Sequence, residues 1–127
     1  MKHSIQTNEA PQAIGPYSQA IEVNGMIYTS GVIPIDPKTG EVVEGDIEVQ
    51  AKRVFDSMKA LLKAADSGLE DVVKTTLFIK DMNDFAAINA IYATYFTGNF
   101  PARSCVEVAR LPKDVLIEME AISIKKV

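Results

Sequence analysis

The sequence predicts one α+β domain in which two helices cover a single face of a mixed six-stranded β-sheet. Three observations carry this. Periodic segments run in the order strands, helix, strand, helix, two strands, which is the pattern of a two-layer sandwich. Each helical stretch carries one apolar stripe, enough to cover one face of a sheet. The final strand is apolar on both sides. The 127 residues fall within the usual size of one domain, so the domain is taken as 1–127.

The first strand is short and carries His3. Ile21–Val23 and Met26–Ser30 flank Asn24-Gly25, a pair that supplies the two φ > 0 positions of a type I′ hairpin turn. Asp36-Pro37-Lys38-Thr39-Gly40 reads as a further turn, with Pro setting φ and Gly tolerating the left-handed region. Asp46 is placed as the N-cap of a helix running to about Ser67, with Gly68 as its stop. Ile47, Ala51, Val54, Phe55, Met58, Leu61, Leu62 and Ala65 recur at steps of three and four and form its buried stripe.

Val72–Lys80 is rich in β-branched residues, and Val73, Thr75, Leu77 and Ile79 are expected on one face. A second helix is expected over Asn83–Phe96, with Phe85, Ile88, Tyr92, Tyr95 and Phe96 inward and Gly98 ending it. Arg103–Ala109 and Val115–Ile124 close the chain as an expected C-terminal hairpin across Leu111-Pro112-Lys113-Asp114. In the last strand Val115, Ile117, Met119 and Ala121 face one way, Leu116 and Ile122 the other. A strand apolar on both sides, in a sheet with helices on only one face, predicts that another subunit covers the second face.

Composition narrows the function. Thirteen basic and seventeen acidic residues give a net charge of −4, and no run of basic residues exceeds two, so a phosphate-backbone partner is disfavoured. The lone Cys105 excludes an intrachain disulfide. The first six residues have no apolar core of a secretory leader, and no apolar run reaches the ~18 residues of a membrane span. A cytoplasmic location is expected. With one His and one Cys, a zinc site of the common N/S type cannot be assembled within one chain. No phosphate-cradling glycine loop occurs. The chain offers carboxylates, arginines, hydroxyls and backbone amides.

Among these, Arg103, Cys105 and Glu107 share one side of a strand, and Glu118 and Glu120 share one side of the next. Charges in an apolar-patterned strand are costly unless paired or used. Ion pairs between strands or subunits account for them; so does a carboxylate-binding Arg beside a Glu that orients water. Spacing alone leaves both open, and does not say which Glu faces Arg103. Cys105 has no histidine nearby in sequence and reads as a wall residue rather than a nucleophile. Tyr17 on the Gly15–Ala20 loop could line a cleft, Ser30 and Gly31 end a strand where backbone can approach a ligand, and Asn89 is a polar residue in mid-helix.

Taken together, Ala10-Pro11, Gly15-Pro16-Tyr17-Ser18-Gln19-Ala20, Thr29-Ser30-Gly31, Val73-Lys74-Thr75-Thr76, Asp81-Met82-Asn83-Asp84-Phe85, the block Phe100 through Asp114 and Ile117-Glu118-Met119-Glu120-Ala121 resemble the Rid family of reactive-intermediate deaminases. The likeness spans essentially the whole chain. It implies a chorismate-mutase-like fold, a homotrimer with three clefts between subunits, and hydrolysis of 2-imino acids such as 2-iminopropanoate and 2-iminobutanoate to 2-oxo acids and ammonia. It further implies that Arg103 clamps the substrate carboxylate and Glu118 orients water. Tyr17, Ser30 and Asn89 match cleft positions, and Gly31 and Cys105 would give backbone contacts. No cofactor and no metal are implied. A ribonuclease or translation-inhibitor role, and a non-enzymatic small-acid-binding role, are the alternatives. Two departures stand out: Val32 where many relatives carry Gln, and a shortened Thr97-Gly98-Asn99 segment.

Overall fold

The period-two and period-3.6 stretches fold as six strands and two helices in the computed structural model, which describes residues 1–127. The strands are β1 (His3–Ile5), β2 (Ala20–Val23), β3 (Met26–Thr29), β4 (Val72–Ile79), β5 (Ala102–Glu107) and β6 (Ile117–Ile124). The helices are α1 (Ile47–Ala64) and α2 (Phe85–Tyr95). They form one sheet in the order β1-β2-β3-β6-β4-β5. Every pairing is antiparallel except β4 with β5. The predicted α+β sandwich with a mixed six-stranded sheet is what the chain adopts.

The Asn24-Gly25 turn has φ of 51° and 79°, the left-handed pair that the hairpin requires. Asp46 caps α1 by accepting from the N–H groups of Glu48 and Val49. All eight residues of the predicted α1 stripe are buried. Each large apolar side chain among them contributes roughly 1.5–3 kcal/mol by leaving water. Gln50, a polar residue outside that stripe, is buried too, and its amide oxygen accepts from Leu116 N–H at 2.8 Å, pinning α1 to the start of β6.

Four local expectations are corrected. The left-handed stop of α1 is Asp66, with φ 59°, not Gly68, which is extended. Ser67 N–H bonds Leu62 O and Asp66 N–H bonds Lys63 O, the paired closure of a Schellman motif. Thr75, Leu77 and Ile79 are buried as expected, but Val73 is exposed, because a register shift between Val72 and Lys74 reverses its side of β4. Residues 82–84 form a 3₁₀ turn before α2, and Ile91 joins its buried face.

The largest correction concerns the chain's end. Its last two strands are not a hairpin. β5 runs parallel to β4 at the sheet edge, while β6 inserts between β3 and β4. The parallel β4–α2–β5 crossover and the split β3–α1–β4 unit place both helices over the side bearing Ile27, Leu77, Ile79, Ile117 and Met119, all wholly buried. The other side carries Ile21, Tyr28, Phe78, Val106, Ile122 and Ile124, none buried. No helix of the chain is long and apolar enough to cross a membrane.

Candidate active site

Register assigns the candidate residues to two sides of the sheet. Arg103 pairs with Thr75, and Thr75 with Ala121, so Arg103 shares the helix-covered side with those buried residues. Glu118 pairs with Phe78 and Glu120 with Thr76 on the open side. The acid on the Arg103 side, Glu107, is already engaged, accepting from Met82 N–H at 2.8 Å.

Arg103 draws its hydrogen bond and both cation–π contacts from α2. Its Nη1 donates to Asn89 Oδ1 at 2.7 Å. Its guanidinium carbon lies 4.8 Å from the Tyr92 ring centroid and 5.4 Å from that of Phe85, within cation–π range. No carboxylate approaches within 4.0 Å of the guanidinium. The ion-pair account of Arg103 therefore does not hold within the chain. Asn89, Tyr92, Ala93, Phe100, Pro101 and Arg103 line an open groove of about 430 Å³. The 97–99 segment leads into this groove, and Phe100 stands 65% exposed on its rim. Cys105 lies two residues along the same side, and burial pushes its thiol pKa up while the Arg103 charge draws it partly back. A thiol pKa pushed up in this way does not favour the nucleophilic thiolate.

The second cluster gathers around Gly31. Val32 N–H and C=O both bond Met119, which lays the Gly31 backbone against β6. A Cβ at Gly31 would sit 2.7 Å from Glu118 Cδ and closer still to a carboxylate oxygen, so only glycine lets Glu118 lie where it does. Burial, and then the nearby Glu120 charge, push the Glu118 pKa up. The N–H groups on either side of Gly31 bond Gln19 O and Met119 O, whereas that of Gly31 has no acceptor in the chain. Ser30 Oγ donates to Ser18 O at 2.6 Å, and the half-exposed Tyr17 accepts from Ile14 N–H at 3.3 Å. Tyr17, Ser30 and Gly31 line one recess together. Gln19 holds their loop from beneath, accepting from Thr7 N–H and donating to Pro11 O. Val32 is buried with the core cluster and also lines this recess, adding an apolar surface to it.

One chain thus brings Arg103, Asn89 and Cys105 together, and separately Tyr17, Ser30, Gly31 and Glu118. Sequence reasoning missed Phe85 and Tyr92 as contacts of Arg103. The spacing of Phe85, Asn89 and Tyr92, at i, i+4 and i+7 on one helix face, was the available signal. No group of three or more His, Cys, Asp or Glu side chains could hold a metal ion.

Residues 7–125 match the family model described as Endoribonuclease L-PSP. A RutC family protein of Pyrococcus abyssi is 58% identical over 98% of both chains. The 2-iminobutanoate/2-iminopropanoate deaminase of Salmonella typhimurium is 54% identical over 99% of this chain and all of its own. Among solved structures, a Yersinia pestis protein of the conserved Rid family superposes with a TM-score of 0.95 at 51% identity, covering 98% of this chain and 99% of its own.

Proposed function

The chain belongs to the Rid family, and from that premise we propose that it hydrolyses reactive 2-imino acids, such as 2-iminopropanoate and 2-iminobutanoate, to 2-oxo acids and ammonia. The observation that carries this reading is Arg103, a partly buried cation with no carboxylate partner of its own. A guanidinium so placed is suited to a bidentate contact with a substrate carboxylate. Glu118, with its raised pKa, would hold the attacking water and take its proton as oxygen adds to the C=N carbon. The nitrogen, protonated in turn, leaves as ammonia. An imine is already electrophilic, so positioning and a proton acceptor account for the chemistry, with no metal or cofactor in the scheme.

The opposite placement of Arg103 and Glu118 supports a site shared between copies of the chain. In this reading the Arg103–Asn89–Cys105 half from one subunit meets the Tyr17–Ser30–Gly31–Glu118 half of a neighbour across a homotrimer interface. The half-buried apolar side chains of the open sheet face are the surface such an assembly would cover.

The test is to generate 2-aminoacrylate with a pyridoxal-phosphate-dependent serine/threonine dehydratase in the presence of semicarbazide. An active deaminase lowers the yield of trapped semicarbazone; if wild type and Arg103→Ala lower it equally little, the assignment fails. The family model's description favours a second reading, RNA cleavage. Net charge −4 and a single histidine, His3, weigh against it. RNA cleavage that co-purifies with the protein and disappears in Glu118→Gln would replace the first reading with this one.

A further inference from the structure

A flexible arginine on an edge strand loses side-chain entropy when it is fixed for a ligand. In this chain that freedom is already restricted. Phe85, Asn89 and Tyr92 project from one face of α2 toward Arg103. Tyr92 is itself held: its hydroxyl pairs with the buried Thr75 hydroxyl at 2.8 Å, its ring stacks on Phe96 at 4.4 Å and meets Phe55 edge-on at 5.7 Å. Thr75 is also the direct cross-strand neighbour of Arg103. The sheet therefore sets the position of Arg103 and, through Thr75, the position of the ring beneath it. Asn89 occupies Nη1, leaving the Nε–Nη2 edge without a partner in the chain. That edge is one of the two forks able to take a carboxylate.

We propose that Tyr92 and Phe85 are positioning residues, which act through Arg103 by holding its guanidinium plane so that one fork is presented to the substrate carboxylate. The inference rests on the reading of Arg103 as the carboxylate holder, and two measurements separate the two ideas. The first is a double-mutant cycle on deaminase kinetics. Tyr92→Leu is expected to raise KM by about 3- to 30-fold, the range of a partly desolvated cation–π contact, with a smaller effect on kcat. Tyr92→Phe, which keeps the ring, restores KM to near the wild-type value. In an Arg103→Ala background Tyr92→Leu changes kcat/KM by less than about 2-fold. An equal loss in both backgrounds overturns the proposal.

Tyr92 is buried; if Tyr92→Leu does not fold, Phe85→Leu, at a partly buried position, runs the same cycle with the same decision. The second measurement is the NMR order parameter of the Arg103 Nε–H bond, which needs no turnover. It is expected to be high in wild type and to drop below about 0.6 in Tyr92→Leu or Phe85→Leu. If wild type proves inactive on imines, the functional reading fails and the order parameter decides alone. Equal order in wild type and variants overturns the positioning role.

Discussion

Arg103 and Glu118 stand on opposite faces of one sheet, separated by β4, whose Thr75 pairs with Arg103 and whose Phe78 pairs with Glu118. Two groups that must reach one small substrate cannot do so through a β-sheet. If both serve one reaction, they come from different subunits. Arg103→Ala and Glu118→Gln, each strongly impaired alone, should then complement. Co-refolding equal amounts at random leaves about one cleft in four with both groups intact, so about a quarter of wild-type activity should return. Mixtures no more active than the parents would mean that the two groups act within one chain or not at all.

Arg103 alone should be intolerant of change. Arg103→Ala is expected to cost about 2–4 kcal/mol in kcat/KM, the range for removing one partner of a desolvated charged contact. Arg103→Lys should recover little of it, because an ammonium can neither fork nor stack on Tyr92 in the same way. Steady-state rates with semicarbazide competition measure both.

Gly31→Ala separates stability from activity. The added Cβ meets the far end of the Glu118 side chain rather than backbone, so the carboxylate can swing away at little cost to folding. The thermal midpoint should stay within the few degrees that correspond to about 1 kcal/mol. Activity should fall by roughly 10²-fold, the range for losing a positioned acid–base group. A large loss of stability with proportionate loss of activity would show that Glu118 placement is not what Gly31 protects.

Glu118 also sets an expected pH dependence. Its folded pKa lies above the ordinary 4.5, so the folded state binds this proton more tightly than the unfolded chain does. Its contribution to stability is fully present below about pH 4.5 and is lost as pH rises through the folded value. Glu118→Gln should therefore unfold at a higher temperature than wild type at neutral pH, with the difference closing in acid. If Glu118 is the proton acceptor of the proposed reaction, wild-type activity should rise with pH through that same raised value, and the variant should show no such limb. Denaturation and rate profiles over the same pH range test both statements.

The local part of this architecture was legible because local patterning encodes it. Eight apolar residues at helical spacing defined the buried face of α1, and Asn24-Gly25 fixed a hairpin through backbone sterics. What period-two alternation cannot report is which strand lies beside which. Arg103–Glu107 and Ile117–Ile124 look like a hairpin because they are adjacent in sequence. The α2 crossover makes β5 a parallel neighbour of β4, and β6 fills the gap between β3 and β4. The faces of Arg103 and Glu118 depend on that topology, so their separation was invisible. Val73 departs from the expected face for a related reason, since the shift between Val72 and Lys74 reverses parity and leaves no mark in composition. Asp66 took the left-handed stop expected of Gly68 because helix length is set by the last buried turn, Leu61–Ala65, and not by the next glycine.

The doubly apolar β6 gives the sharpest test of assembly. Ile122 lies on the open face between Tyr28 of β3 and Lys74 of β4, and Ile124 beyond it is 45% exposed. Ile122 is not buried in the chain, so Ile122→Glu should leave the fold intact and preserve the far-UV circular dichroism. Against a neighbouring subunit the same substitution would bury a carboxylate whose desolvation costs several kcal/mol even with Lys74 beside it, enough to weaken the interface. The variant should run as a monomer by light scattering and lose deaminase activity, although it touches neither Arg103 nor Glu118. Should it stay assembled and active, the open face is not the interface, and the two halves of the site would have to meet through some other surface.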